Sequence, residues 1–127
     1  MAKTQKRETG DWGEGVASRF LLGLGYTVVA RNFSIRFGEI DIIAWHDKPQ
    51  FGKTLCFVEV KTRSSDDGSA QRSVNEKKLN RIKSTAHKFC MEQEIDIGKT
   101  PIQFEEITIV KDGHRPLCIR HYIIPAL

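Results

Sequence analysis

The sequence predicts an α/β chain (α+β, with a mixed sheet), built in the order α-β-β-β-α-β with a further strand at the C-terminal end. Three observations predict it. Two segments repeat apolar residues at helical period, while the stretches around them alternate or are rich in β-branched and aromatic residues. Pro49 and Gly52 divide the second and third strand segments closely enough for a hairpin. A strand, a helix and a strand then follow in succession, which favours a parallel pair.

The first helix is expected over Asp11 to Leu24, with Trp12, Val16, Ala17, Phe20, Leu21 and Leu24 as its apolar positions and Gly25 as its stop. Strand one is expected over Tyr26 to Phe33, strand two over Phe37 to Trp45, and strand three over Thr54 to Arg63. Residues Ser64 to Arg72 are polar and read as a connector or a mobile gripping loop. Ser73 and Glu76 stand at capping-box spacing before a second helix, whose stripe is Leu79, Ile82, Ala86 and Phe89. Strand four opens at Pro101 and Ile102 and runs to Val110, and Leu117 to Ile124 supplies a fifth.

A chain of 127 residues fits one domain, 1–127, with a single core. Its net charge of +4 permits nucleic acid as a partner without requiring it. Cys56, Cys90 and Cys118 lack paired spacing and read as small core residues in a reducing compartment. The nearest zinc candidate, His114, Cys118 and His121, fails because strand alternation turns Cys118 and His121 to opposite faces. No apolar run reaches the ~18 residues of a membrane span and the N-terminus lacks a signal-type apolar region, so no membrane and a cytoplasmic location are expected. Neither a phosphate-binding loop nor a dinucleotide fingerprint occurs.

The residues that carry chemistry lie on strands two and three. Alternation puts Glu39 and Asp41 on one face of Gly38-Glu-Ile-Asp-Ile-Ile-Ala44, and Glu59 and Lys61 on one face of Phe57-Val-Glu-Val-Lys-Thr-Arg63. A hairpin then brings Asp41, Glu59 and Lys61 together. Two carboxylates suit a hard divalent cation such as Mg2+ or Mn2+, which takes few protein oxygens and keeps several waters. Such a cation polarises a phosphoryl oxygen and activates water, and a lysine beside it positions that water or offsets phosphate charge. Charges alternating along a strand are also common on solvated surfaces, where their ion pairs contribute little. The same strands place Phe37, Ile43, Trp45, Leu55 and Phe57 on the charged face, so that face is expected to be covered, and half-buried charges need partners or a metal. Glu14 falls within roughly 20° of Leu21 on the first helix, at the edge of its apolar stripe, from where it reaches the sheet as a further metal ligand or simply answers the helix dipole. Lys77, Lys78, Arg81 and Lys88 on the second helix, with Arg63 at the end of strand three, are candidates for a phosphate backbone, although such a helix face is often only solvated.

Three motifs in order, Gly10-Asp-Trp-Gly-Glu14, Gly38-Glu-Ile-Asp41 and Phe57-Val-Glu-Val-Lys-Thr-Arg63, resemble the signature of the YraN-like endonuclease-like family of bacteria. That family is itself similar to archaeal Holliday junction resolvases and the PD-(D/E)XK nuclease superfamily. The resemblance spans residues 8 to 110 or so and implies a restriction-endonuclease-like α-β-β-β-α-β core. It also implies metal-binding acids at Asp41 and Glu59, a catalytic lysine at Lys61 and the helix-one glutamate at Glu14. The implied activity is metal-dependent cleavage of DNA, branched or structured, by a chain that pairs as a homodimer. Two stretches depart from the family pattern. Gly68 to Val74 lacks the proline and the acid of Gly-x-Pro-x-Glu-Ala-Val, and Gln103-Phe-Glu-Glu-Ile-Thr108 stands where Arg-Phe-Asp-Val-Val is usual. Two other readings compete: a non-catalytic nucleic-acid-binding module that retains the fold, and a protein-interaction domain on the same scaffold.

Overall fold

The structure is a computed structural model and describes residues 5–64, 75–113 and 117–125. Helix α1 (Gln5–Gly23) is followed by β1 (Thr27–Ile35), β2 (Gly38–Lys48), β3 (Gly52–Arg63), helix α2 (Glu76–Glu92), β4 (Ile102–Val110) and β5 (Cys118–Ile124). The five strands form one sheet in sequence order. β1, β2 and β3 are antiparallel neighbours, β3 and β4 are parallel across the α2 connection, and β5 returns antiparallel to β4. The α+β mixed sheet and the element order expected from the sequence are therefore present.

α1 ends because Gly25, at φ +91, lets the chain reverse while Gly25 N–H and Tyr26 N–H donate to Leu22 O and Leu21 O. Each face of the sheet carries its own apolar layer. On the α1 side Ala17 and Leu21 pack on Ile42, Ala44, Val58, Ile107 and Ile109. On the α2 side Ile82, Ala86 and Phe89 pack on Ile40, Ile43, Leu55, Phe57 and Phe104. With both faces covered, residues 42–44 of β2 and 54–58 of β3 are buried without alternation. Among the described residues no helix is long and apolar enough to cross a membrane.

Several local expectations are corrected. α2 is capped by Asn75, whose side chain accepts the Lys78 amide at 2.9 Å. Ser73, expected in that role, lies outside the described residues, as do most of the Ser64–Arg72 connector and His114. Trp12 is 38% exposed rather than part of the buried stripe, and the Lys111 ammonium lies 5.0 Å from its ring centroid. Phe37 is 74% exposed because it sits in the β1–β2 turn, one residue before the strand reaches the helix. Cys56 and Cys90 are buried as expected, but Cys118 is exposed at the start of an edge strand.

Candidate active site

The β2–β3 ladder runs from Lys48↔Gly52 to Ile42↔Val58. Beyond it Asp41 does not continue the backbone pairing; its Oδ2 accepts the Val60 amide at 2.7 Å. The side chain thus takes the position of a strand carbonyl at a fork in the sheet. Strict alternation breaks at the same place, since Ile40 and Ile43, three residues apart, belong to one apolar layer. Asn32 adopts a left-handed backbone (φ +53) in β1, between the pairs Arg31↔Ile42 and Phe33↔Ile40, hence beside Asp41. In the amide orientation that satisfies both groups, Asn32 Nδ2 donates to both carboxylate oxygens of Glu14.

Glu59 projects to the α2 side, two residues after Phe57. Asp41 and Glu59 line one cavity of about 270 Å3, whose other walls include Glu39, Lys78 and Arg81. Lys78 Nζ stands 3.5 Å from Glu59 Oε2. Lys61, one alternation further along β3, lies close enough to Glu59, Glu106 and Lys78 for each to move its proton affinity. Three of the predicted residues are thus brought together: Asp41 and Glu59 in the cavity, with Lys61 at its side. Glu14 approaches from α1, is only 8% exposed, and feels the charge of Asp41.

The electrostatics follow from crowding acids where water is scarce. Burial, then the Asp41 charge, raises Glu59 to about 7. The same two causes raise Glu14 to about 7. Burial also raises Asp41, against the opposing Val60 hydrogen bond. Lys61 is lowered to about 8, by burial first and then by the Lys78 ammonium. Carboxyl and amine groups drawn together toward neutrality are a recurring mark of functional sites, though structural ion networks also produce it.

Among the described residues no three of His, Cys, Asp and Glu gather into a metal cage, the expected set of Glu14, Asp41 and Glu59 included; the donors lining the cavity are the carboxylate oxygens of Asp41 and Glu59, with Glu39 at its wall. That set fits a magnesium-type cation, which needs few protein ligands and retains water. An observation of the fold agrees. The acid pair has drawn a cation to itself: Lys78 pairs with Glu59 and its charge also lowers the proton affinity of Asp41.

The basic candidates divide. Lys78 and Arg81 wall the cavity, and Lys77 faces a neighbouring one. Lys88 lies toward the other end of α2, 3.9 Å from Glu92. Arg63 closes β3, with its guanidinium donating to Thr62 O at 3.2 Å.

Sequence reasoning missed four contributors. Gly13 admits α1 against β3, where an added Cβ would collide with Thr62 Oγ1; this close approach seats Glu14 at the sheet. Gly38 does the same for α2. Asn32 is a polar residue within a strand of β-formers, a signal that something local requires it. Glu106, 2% exposed and paired in register with Glu59, adds a further acid and raises the proton affinity of Lys61. Adjacent acids in a largely buried strand, Phe104-Glu-Glu-Ile107, were the available sign of it.

Comparison with known proteins places these motifs in a wider set. The profile of the uncharacterised protein family UPF0102 matches residues 13–109, a span that holds Glu14, Asp41, Glu59 and Lys61. A UPF0102 protein of Prosthecochloris aestuarii is 40% identical over 111 residues, covering 84% of this chain and 80% of its own length. One from Caldicellulosiruptor bescii is 41% identical over 108 residues, covering 84% and 86%. One from Chlorobium limicola is 36% identical over 120 residues, covering 90% and 88%. The resemblance to the YraN-like family expected from the three motifs is thereby borne out.

Proposed function

Starting from the fact that the chain belongs to the uncharacterised protein family UPF0102, we propose that it is a metal-dependent endonuclease hydrolysing phosphodiester bonds of DNA, with branched or structured DNA as the preferred form. The observation that carries this reading is the cavity lined by both Asp41 and Glu59, each carboxyl raised by burial, with Lys61 close enough to Glu59 to feel its charge.

In this reading Asp41 and Glu59 would hold Mg2+ or Mn2+, with Glu14, whose carboxyl feels the Asp41 charge, as a further ligand from α1. The ion supplies Lewis acidity toward the phosphoryl oxygen and a more acidic bound water. Lys61, held near 8 and next to Glu59, can present either an amine that takes a proton from water or an ammonium that offsets charge on a phosphate oxygen. The Val60 amide fixes the Asp41 carboxylate, so the acid is positioned before any ligand arrives. Arg81 at the wall of the cavity is placed for the flanking phosphates.

The test is incubation of the purified protein with junction, flap, single-stranded and duplex DNA in Mg2+ or Mn2+. Cleavage is expected that vanishes with chelator and falls at least ~100-fold in Lys61→Ala and Asp41→Ala, the usual scale for losing a catalytic proton-transfer or charge-stabilising group. Absence of any cleavage depending on both metal and Lys61 sinks the proposal.

A second reading, a nucleic-acid-binding module that does not cut, has one observation in its favour: Lys78 already pairs with Glu59. Salt-dependent DNA binding that survives Asp41→Ala, with no cleavage by the wild type, selects it.

A further inference from the structure

Phe37 is the most exposed large apolar side chain among the described residues, at 74%. It sits in the β1–β2 turn immediately before Gly38, the glycine that lets α2 lie against the sheet. The Arg36 guanidinium carbon lies 5.1 Å from the centroid of its ring. Phe37 also forms part of two adjoining depressions. One is the acid cavity; the other, about 390 Å3, is walled by Ile35, Phe37, Lys77, Asn80, Arg81 and Ser84. Phe37 and Arg81 belong to both, so the second depression continues directly from the first. Its walls are apolar and cationic and include no acid, in contrast to the neighbouring cavity. Lys77, Arg81 and Ser84 follow one another at i, i+4 and i+7, so a single helix face carries these polar groups.

We infer that Phe37, with Arg36 at its ring and Lys77 and Arg81 flanking it, is a stacking platform for an unpaired nucleobase of a single DNA strand lying next to the acid cavity. The inference rests on the nuclease reading above and names the form of substrate that site selects. Aromatic faces beside cationic side chains hold single strands because every base has a π-face and every nucleotide a phosphate. A base inside a duplex has both faces covered by its neighbours, so it cannot use an aromatic ring outside the helix unless the strand opens. Lys77 and Arg81 supply charge for the phosphates on either side of the stacked base, and the cation at Arg36 polarises the ring from its own side.

The experiment uses the full chain in EDTA, so that binding is read without cleavage. Two probes are titrated at low salt: a single-stranded oligonucleotide carrying one 5-iodouracil, and the fully paired duplex of the same sequence. Photocrosslinks are located by mass spectrometry. The wild type is expected to bind the single strand more tightly than the duplex and to crosslink at Phe37. Phe37→Ala should weaken single-strand binding on the order of ten-fold, abolish that crosslink and leave duplex binding unchanged. Phe37→Tyr should retain both properties. Since the side chain is exposed, an unaltered melting curve for Phe37→Ala separates loss of a contact from loss of the fold. Equal single-strand binding by Phe37→Ala and wild type overturns the inference, as does an equal loss on duplex. Phe37-independent binding together with metal-dependent cleavage overturns this inference alone, and Phe37-dependent binding without cleavage overturns the nuclease reading alone. A protein that binds neither probe at low salt overturns this inference, and the nuclease reading then stands or falls on metal-dependent cleavage alone.

Discussion

Gly38 has no side chain where α2 leaves no room for one. A Cβ there would collide with Thr85 Oγ1 and stand 3.2 Å from Arg81 O, a backbone atom that cannot move without the helix. Thr85 Oγ1 is itself held, donating to Arg81 O at 2.8 Å. Gly38→Ala is therefore expected to destabilise the fold by ~1–3 kcal/mol through overpacking, seen as a lower urea midpoint at unchanged slope. Adding Thr85→Ala removes the atom nearest the new methyl and should recover part of the loss. If the two changes simply add, the collision is not what Gly38 avoids. The same contact bears on chemistry, because it fixes the separation between Asp41, three residues along β2, and Lys78 on the helix. Asn32 acts by a different route. Its left-handed backbone allows the amide to face the Glu14 carboxyl, so Asn32→Ala loses a donor and places an alanine in a conformation that alanine resists. A loss of ~1–3 kcal/mol is expected, the usual cost of stranding a buried polar group; thermal melting that leaves the midpoint in place would refute the pairing.

At the level of the element, α2 carries one side of the site, and its start decides where Lys78 sits. The cap on the Lys78 amide comes from Asn75, so Asn75→Ala should cost about 1 kcal/mol. Along its length the helix divides by position. Lys88 lies ten residues after Lys78, roughly 15 Å along the axis, and stands beside Glu92. Lys77→Ala and Arg81→Ala are each expected to lower the slope of log affinity against log salt for single-stranded DNA by about 0.7, while Lys88→Ala leaves it unchanged. An equal drop for Lys88 would mean that the strand follows the whole helix face. Much of this was legible beforehand: the order of elements, the hairpin and the parallel crossover all follow from residue period and turn residues, which are local properties. The nearness of Asp41, Glu59 and Lys61 was legible too, from period two along β3 and the hairpin that sets β2 beside it. The fork at Asp41 was not. It arises because β2 stops pairing with β3 while a left-handed Asn32 stands alongside in β1, and alternation within one strand contains no term for its neighbours. Phe37 was misplaced for a similar reason: apolar character predicts burial, yet a turn residue has no layer to enter.

At the scale of the molecule, the α1 side of the sheet is joined by one buried acid. Glu105 of β4 is fully buried. Tyr26, at the α1–β1 junction, donates to Glu105 Oε1 at 2.7 Å, and His121 Nε2 of β5 lies 2.6 Å from the same oxygen. Lys48 Nζ at the end of β2 stands 3.1 Å from Oε2, and also donates to the Tyr26 hydroxyl at 2.7 Å. His46 stacks on the Tyr26 ring with centroids 3.8 Å apart. Three segments distant in sequence, carrying Tyr26, Lys48 and His121, therefore converge on one carboxylate of a fourth. Burial by itself raises a carboxyl, but here hydrogen bonds from His121 and Tyr26 and the Lys48 charge outweigh it, holding Glu105 down to about 2. A carboxyl whose folded value lies below its unfolded value of 4.5 binds its proton more readily in the unfolded chain. Its stabilisation is therefore fully present above about 4.5 and is lost as pH falls toward 2, on the order of 3 kcal/mol in all. Glu105→Gln should lower stability at neutral pH, because one acceptor of the cluster becomes a donor facing donors. It should also flatten the acid limb of the stability curve, so that the gap between variant and wild type narrows from pH 5 to pH 2 in urea titrations. A gap that stays constant over that range would mean that the carboxylate charge does not hold these four segments together.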